Sequence, residues 1–319
     1  EFRRVLFRSN TFTIVVTDSA APPGTAQTTF NLLVNNQSAL SGSYAFEFNG
    51  YQIANVGGVS VNQRVTAAGS FLIGAGSTIT GIEDYNTGGG QDFTGQSFTG
   101  QFTEAGGRGT LTLNGLKQGT TVYSFALDST GAVGRLIETD SNTGARGSGE
   151  IAKQGATTCT DATLKGDYVF GLTGDSTAQS GFSLFGPSVF AGRFTTDGVS
   201  GIFNGEADEH SPNQVVHVNL GSLNGTYKQG KNPGFCAISV TLGDLTSTLN
   251  AYPVTTNSSG VITEAYLIAA DPLDTTHFYI LEGKLIQQPG SQLGAGPPFT
   301  SSLALDGASV AGLTGQLSV

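Results

Sequence analysis

The feature that most constrains this chain is an internal repeat. "LSGSYAFEFNG" at 40–50 returns as "LKGDYVFGLTG" at 164–174, and "AGSF" at 68–71 returns as "AGRF" at 191–194. "FTGQF" at 98–102 answers "LNGTY" at 223–227, "LIETD" at 136–140 answers "LIAAD" at 267–271, and "GEIAKQ" at 149–154 answers "GKLIQQ" at 283–288. The offset drifts upward from about 124 to 134, as loop insertions produce. Blocks kept in one order at so long a period mean two tandem domains rather than a solenoid.

Each copy divides into about eight strands by the period-2 alternation of apolar and polar residues. In the first copy they are expected near 43–51, 63–73, 78–86, 95–104, 108–115, 121–128, 132–140 and 146–153. Most connections are short and carry Gly, Asn, Asp or Ser, so consecutive strands are expected to be antiparallel hairpin neighbours. Such a meander can close on itself and abolish both edges. The expected fold is all-β, two tandem antiparallel eight-stranded up-and-down barrels, with a β-sandwich as the alternative. Closure requires the strand at 44–50 to pair with the strand at 146–153.

One face of every barrel strand points inward. The candidate interior positions are Tyr44, Phe46, Phe48, Phe71 and Phe102 in the first copy, and Tyr168, Phe170, Phe194 and Tyr227 in the second. Leu111, Leu113 and Phe125 extend this core. The repeated glycines at 42, 69, 81, 100 and 149 are expected to relieve crowding where the barrel bends.

Composition agrees with this architecture and excludes some functions. Glycine is abundant, at 47 of 319 residues, while charged residues make up 12 %. A net charge of −10 makes the chain a poor partner for nucleic-acid phosphates. No apolar run is long enough for a transmembrane helix.

Few residues carry chemistry. Cys159 and Cys236 are expected to form a structural disulfide, which presupposes an oxidising compartment; a buried free thiol is the alternative. "EADEHSP" gathers Glu206, Asp208, Glu209 and His210, and is read as a solvated hairpin tip rather than a metal or acid/base site. His217 and His277 stand alone in strand-like stretches and are read as surface or packed residues. "DSNTGARG" at 140–147 has spaced oxygen ligands but lacks the glutamate of a calcium loop. Glu138 and Asp140, on one face of the seventh strand, are the best enzyme candidates. Only Asp140 has a counterpart, Asp271, since Ala269 replaces Glu138. No catalytic, cofactor-binding or metal residue is assigned, no cofactor is expected, and the chain is not expected to be an enzyme.

The ends differ from the middle. Residues 1–9, "EFRRVLFRS", resemble the in-frame translation of a common sequencing-library adapter fused to a metagenomic reading frame. The chain is therefore expected to be a fragment that has lost its native start and any signal peptide. Residues 10–36, with "VTDSAAPPGTAQTTFNLLV", resemble the last two strands of a bacterial Ig-like domain. The expected organisation is this hairpin, a barrel at 37–154, a second at 155–289, and a linker at 290–319 that runs into a possible third repeat.

The pattern "LSGxYAF…AGxF…GxGTLTL…LIExD…GxGxxxKQ" resembles secreted, multi-domain proteins of acidobacterial type, clearest at "GRGTLTL" (107–113). The second copy departs there, reading "NPGFCAISV". The resemblance implies export and modularity, and no reaction. The expected function is thus a non-enzymatic module of a secreted or cell-surface bacterial protein, acting in adhesion, structure or interaction with cell-surface or polysaccharide partners. The alternative is lipocalin- or avidin-like binding of a small apolar ligand inside the barrels.

Overall fold

Alternating sequences joined by tight turns become antiparallel ladders, and here the ladders close. In the computed structural model the first barrel comprises β3 (Ser43–Val56), β4 (Val59–Ile73), β5 (Thr78–Asn86), β6 (Phe93–Ala105), β7 (Arg108–Asn114), β8 (Thr121–Leu127), β9 (Val133–Glu138) and β10 (Arg146–Lys153). The second comprises β11 (Lys165–Thr177), β12 (Gly186–Asp197), β13 (Gly201–His210), β14 (Val218–Gln229), β15 (Cys236–Leu242), β16 (Leu245–Thr256), β17 (Ile262–Ala269) and β18 (Phe278–Gln287). Each is an up-and-down meander whose last strand pairs with its first. The first barrel closes with Arg146 opposite Tyr51 through Lys153 opposite Tyr44, the pairing that closure requires. The second closes between β11 and β18. Ahead of both lies a separate hairpin of β1 (Arg8–Thr17) and β2 (Thr25–Val34). The structure describes residues 8–17, 24–34, 40–56, 58–87, 93–116, 118–140, 145–155, 159–177, 186–210, 218–230, 236–242, 245–270 and 278–288. The loop 141–144, His217, Asp271, His277 and the expected linker and third repeat from 290 onward lie outside the described residues.

Tyr44, Phe46, Phe48 and Phe71 are buried in the first core, with Phe102 partly buried against it. Tyr168, Phe170, Phe194 and Tyr227 are buried in the second. The duplication extends to a hydrogen bond inside each barrel. Tyr44 Oη donates to the Gly131 carbonyl at 2.9 Å, and Tyr168 Oη donates to the Ile262 carbonyl at 2.9 Å. Gly69 is needed for space. A Cβ there would lie 2.5 Å from the Phe46 ring, and one on Gly192 would lie 2.6 Å from Phe170. Gly42 serves differently: its φ of +81° is the left-handed region that favours glycine.

Two expectations are corrected. The first hairpin is longer than the expected 43–51 and 63–73, because its ladder continues to Val56 opposite Val59. Alternation persists through Gln52 and Gln63, and Gly58, at φ +86°, turns the chain. The stretch Glu206–His210 is the end of β13, not a hairpin tip. Strand alternation splits its charges: Glu209 is buried, while Glu206 and His210 are exposed. Its polar density read as loop, yet β12 and β14 pair with it on either side.

The barrels pack against each other side by side. Ala45, Ala68, Ile82 and Ala152 on the outer face of the first meet Tyr252, Val254, Tyr266 and Ile268 on the outer face of the second. Small residues on one barrel thus receive large ones from the other. Polar contacts ring this patch. Asn86 donates to the carbonyls of Ala269 and Tyr279, and Gln154 donates to that of Pro253. Arg64 lies 3.6 Å from Glu282.

Candidate functional site

Strand alternation places Ile79, Glu83 and Tyr85 of β5 inside the first barrel. It does the same for Thr121, Tyr123 and Phe125 of β8, and for Leu136 and Glu138 of β9, with Asp140 just beyond. One end of the interior is apolar, built on Tyr44, Phe46, Phe71, Phe125 and Ile151. The other end is polar. There Glu83, Glu138, Asp140 and Thr121 are all buried, together with Tyr85 and Tyr123.

The ladders set the geometry of this polar end. Tyr123 lies directly opposite Glu138, so their side chains are neighbours on the inner face. Glu83 lies opposite Gly69 on one side and Gln96 on the other. From the loop after β7, Gln118 donates to Glu83 Oε2. Tyr85 Oη donates to Gln52 Oε1 at 3.4 Å, and Gln52 donates to Gln63 Oε1 at 3.2 Å. Asp140 Oδ2 accepts from the Val122 amide at 2.8 Å. Arg146 gives its Nη1 donors to the carbonyls of Asp140 and Ala145.

Burial controls the electrostatics. It pushes the Glu83 carboxyl up to about 8 against the lowering effect of Gln118, and the negative charges of Asp84 and Glu138 push the same way. At neutral pH most Glu83 is therefore protonated. Burial also raises both phenols, reinforced by Glu83, Glu138 and Asp140.

Among the described residues the second barrel keeps one buried carboxyl of this kind, Glu209 at the position of Tyr85, and is otherwise apolar at the matching positions. In the repeat alignment Ala207 stands for Glu83, Leu249 for Tyr123 and Ala269 for Glu138, all buried in its apolar core. Phe190 and Tyr279, ring centroids 5.6 Å apart, fill the space with Leu172 and Leu281. A small apolar ligand thus finds its natural positions occupied by side chains in the second barrel, and a carboxyl-lined end in the first.

Glu138 and Asp140, singled out from sequence, do face the interior together. Glu83, Tyr85 and Tyr123 join them there and escaped sequence reasoning. Glu83 sits in "IEDYN", where alternation alone could have marked it as inward, between Ile79 and Tyr85. Asp84, its neighbour, faces outward and is buried at the barrel–barrel interface. It accepts from Asn250 at 2.6 Å and from the Gly95 amide, and it ionises near 6 because burial outweighs these hydrogen bonds.

Cys159 and Cys236 are joined in a disulfide with Cα atoms 5.4 Å apart. The bond ties the segment before β11 to the start of β15. Outside the second barrel, Val169, Ala191, Gly192, Arg193, Glu206, Ala207 and Asp208 line an open recess of about 380 Å3. Arg193 and Glu206 pair across it at 2.6 Å. Among the described residues, no group of three His, Cys, Asp or Glu is placed to hold a metal ion, and no helix is long and apolar enough to cross a membrane.

No family model and no curated protein matches the chain. Among solved structures it is similar to the isotype 1 transferrin binding protein B of serogroup B Neisseria meningitidis, at 7 % identity and a TM-score of 0.29, over 90 % of this chain and 86 % of that one. It is also similar to a putative AttH protein of Nitrosomonas europaea, at 8 % identity and a TM-score of 0.23, over 77 % of this chain and 92 % of that one. Scores at this level establish no shared architecture, and nothing about those proteins transfers to this chain.

Proposed function

We propose that the chain is a non-enzymatic interaction module of an exported bacterial protein, working outside the cell or on its surface. The observation that carries this reading is the buried interface between the barrels. Apolar side chains, Asn86, the Asp84–Asn250 pair and the Tyr266–Glu150 hydrogen bond of 2.7 Å fasten two closed sheets together. Closed barrels present no free edge for aggregation, and fastened barrels hold whatever lies at their ends at a constant separation. That suits a spacer or adhesive segment. The Cys159–Cys236 disulfide supports an oxidising compartment. The leading hairpin is read as the end of an Ig-like domain, a companion that fits a modular exported protein.

The partner surface is assigned to the outside of the barrels, where Tyr51, Ile53 and Val59 stand exposed on the long β3–β4 hairpin. The test is to express the chain behind a signal peptide in a bacterial host and fractionate the cells. The purified protein is then assayed against whole cells and a polysaccharide panel. Export with an oxidised disulfide, and binding that weakens in an Ile53→Asp variant, is the expected result. A protein that is stable and functional only with reduced cysteines, and binds none of these surfaces, overturns the reading.

A further inference from the structure

We propose that the polar end of the first barrel is a binding site for a small organic cation, a primary ammonium or guanidinium on a short apolar stem. This goes beyond the export and interaction reading and does not depend on it.

The first observation is a set of buried atoms that lack hydrogen bonds. Glu83 is completely buried inside the barrel, and its Oε1 has no hydrogen-bond partner. Gln118 Oε1 and Thr121 Oγ1 are buried in the same condition. Gln118 Oε1 is an acceptor and Glu83 Oε1 becomes one when its carboxyl ionises, so these two oxygens call for donors once Glu83 has lost its proton. Buried polar atoms are nearly always paired, and orphans at one place call for a partner that brings N–H or O–H groups.

The second observation is the contrast between the barrels. Where the second has Phe190, Tyr279 and Leu281, the first has Ala67, Ala145 and Gly147. Phe48, Tyr85 and Tyr123 recover part of that volume, being larger than Leu172, Glu209 and Leu249. The exchange moves the bulk from Phe190 and Tyr279 to Phe48, Tyr85 and Tyr123, which places the two tyrosine rings beside Glu83 and Glu138. Aromatic faces and carboxylates together favour a cation over a neutral polar group. The charges acting on Glu83 are those of Asp84 and Glu138, both negative. Arg146, at the same end, is held by backbone carbonyls. An eight-stranded barrel has room for one small ligand at most, and the absence of a three-ligand cluster among the described residues points away from a metal ion.

A bound cation favours ionised Glu83, so binding near neutral pH releases a proton. Glu138 at the end of β9, Asp140 just beyond it, Asp84 and Tyr85 on β5, Tyr123 on β8 and Arg146 on β10 are the other titratable or charged groups that bear on this end.

The test is calorimetric titration of the full chain with n-propylammonium and with 1,4-diaminobutane at pH 7, in two buffers of different ionisation enthalpy. 1-Propanol serves as the neutral isostere of n-propylammonium. Saturable binding of the amines with proton release, no binding of the alcohol, and at least tenfold weaker binding in Glu83→Gln are expected. Glu138→Gln is the second variant, with near-UV circular dichroism confirming that each still folds. Equal binding of alcohol and amine overturns the proposal in favour of a neutral polar site. No binding of either overturns it in favour of ordered water on the orphan atoms. Amine binding unchanged in both folded variants places the ligand elsewhere and overturns it as well.

Discussion

Asn250 of the second barrel donates to Asp84 of the first at 2.6 Å, and both side chains are buried between the barrels. The bond joins residues 166 positions apart, and it belongs to an interface that neither barrel possesses alone. Removing the amide in Asn250→Ala takes one donor from the buried Asp84 carboxyl and leaves it the Gly95 amide and the Tyr252 hydroxyl. The expected cost is about 1–3 kcal/mol. Urea unfolding should show a lower midpoint with an unchanged slope if the barrels still unfold together. Two separate transitions would show instead that this contact is what couples them.

Stability should fall as pH rises from about 4.5 to 8. Glu83 ionises near its ordinary 4.5 in the unfolded chain and near 8 in the folded one. Glu47 is also pushed up to about 8, by burial first and then by Glu282. Asp84 ionises near 6. In that window the folded state holds protons that the unfolded state has lost, so the stability slope is negative. Below about 4 the sign reverses. Asp197 is held near 2 by the amides of Val199, Ser200 and Gly201, and Asp128 and Glu150 are also lowered, so their contributions are lost on acidification. Thermal unfolding across pH 3–9 should therefore peak near pH 4–5. Glu83→Gln should flatten the alkaline limb, and an unaltered limb would remove Glu83 as its cause.

Reduction should weaken the second barrel. The disulfide closes a loop with a sequence separation of 77, for which loop entropy gives about 4–5 kcal/mol as an upper figure. Calorimetry with and without reductant, and on a Cys159→Ser/Cys236→Ser double variant, should show the lower melting temperature in both cases. Agreement between the two isolates the cross-link from any effect of the reductant.

Gly69→Ala should destabilise by about 1–3 kcal/mol, the usual cost of forcing extra volume into a packed core. The added methyl would meet the Ile82 carbonyl oxygen first and lie 2.5 Å from the Phe46 ring. The Phe46→Leu background supplies the control. If ring contact is the cause, the penalty of Gly69→Ala shrinks there, whereas a backbone cause leaves it unchanged.

Much of this was legible in the sequence, because it depends on neighbours along the chain. Alternation placed Tyr44, Phe46 and Phe48 on one face of a strand. The repeat of that strand at Tyr168, Phe170 and Leu172 announced a second copy of the same fold. Short polar turns implied a meander, and a meander of eight strands implied pairing of β3 with β10. Even Glu138 and Asp140 could be marked as inward-facing. The end of β13 escaped because charge density was read as loop, although strand pairing depends on backbone groups and tolerates charges on the outer face. What the sequence by itself determined is the class of fold, its duplication and the inward face of each strand, since these follow from a two-residue period and from turn chemistry. Only the tertiary structure decided that Asp84 meets Asn250, that Ala45 and Ala68 receive Tyr252 and Tyr266, and that Glu83 stands beside Gln118 with one oxygen unpaired. Those contacts join segments far apart in the chain, and nothing local in either partner encodes the other.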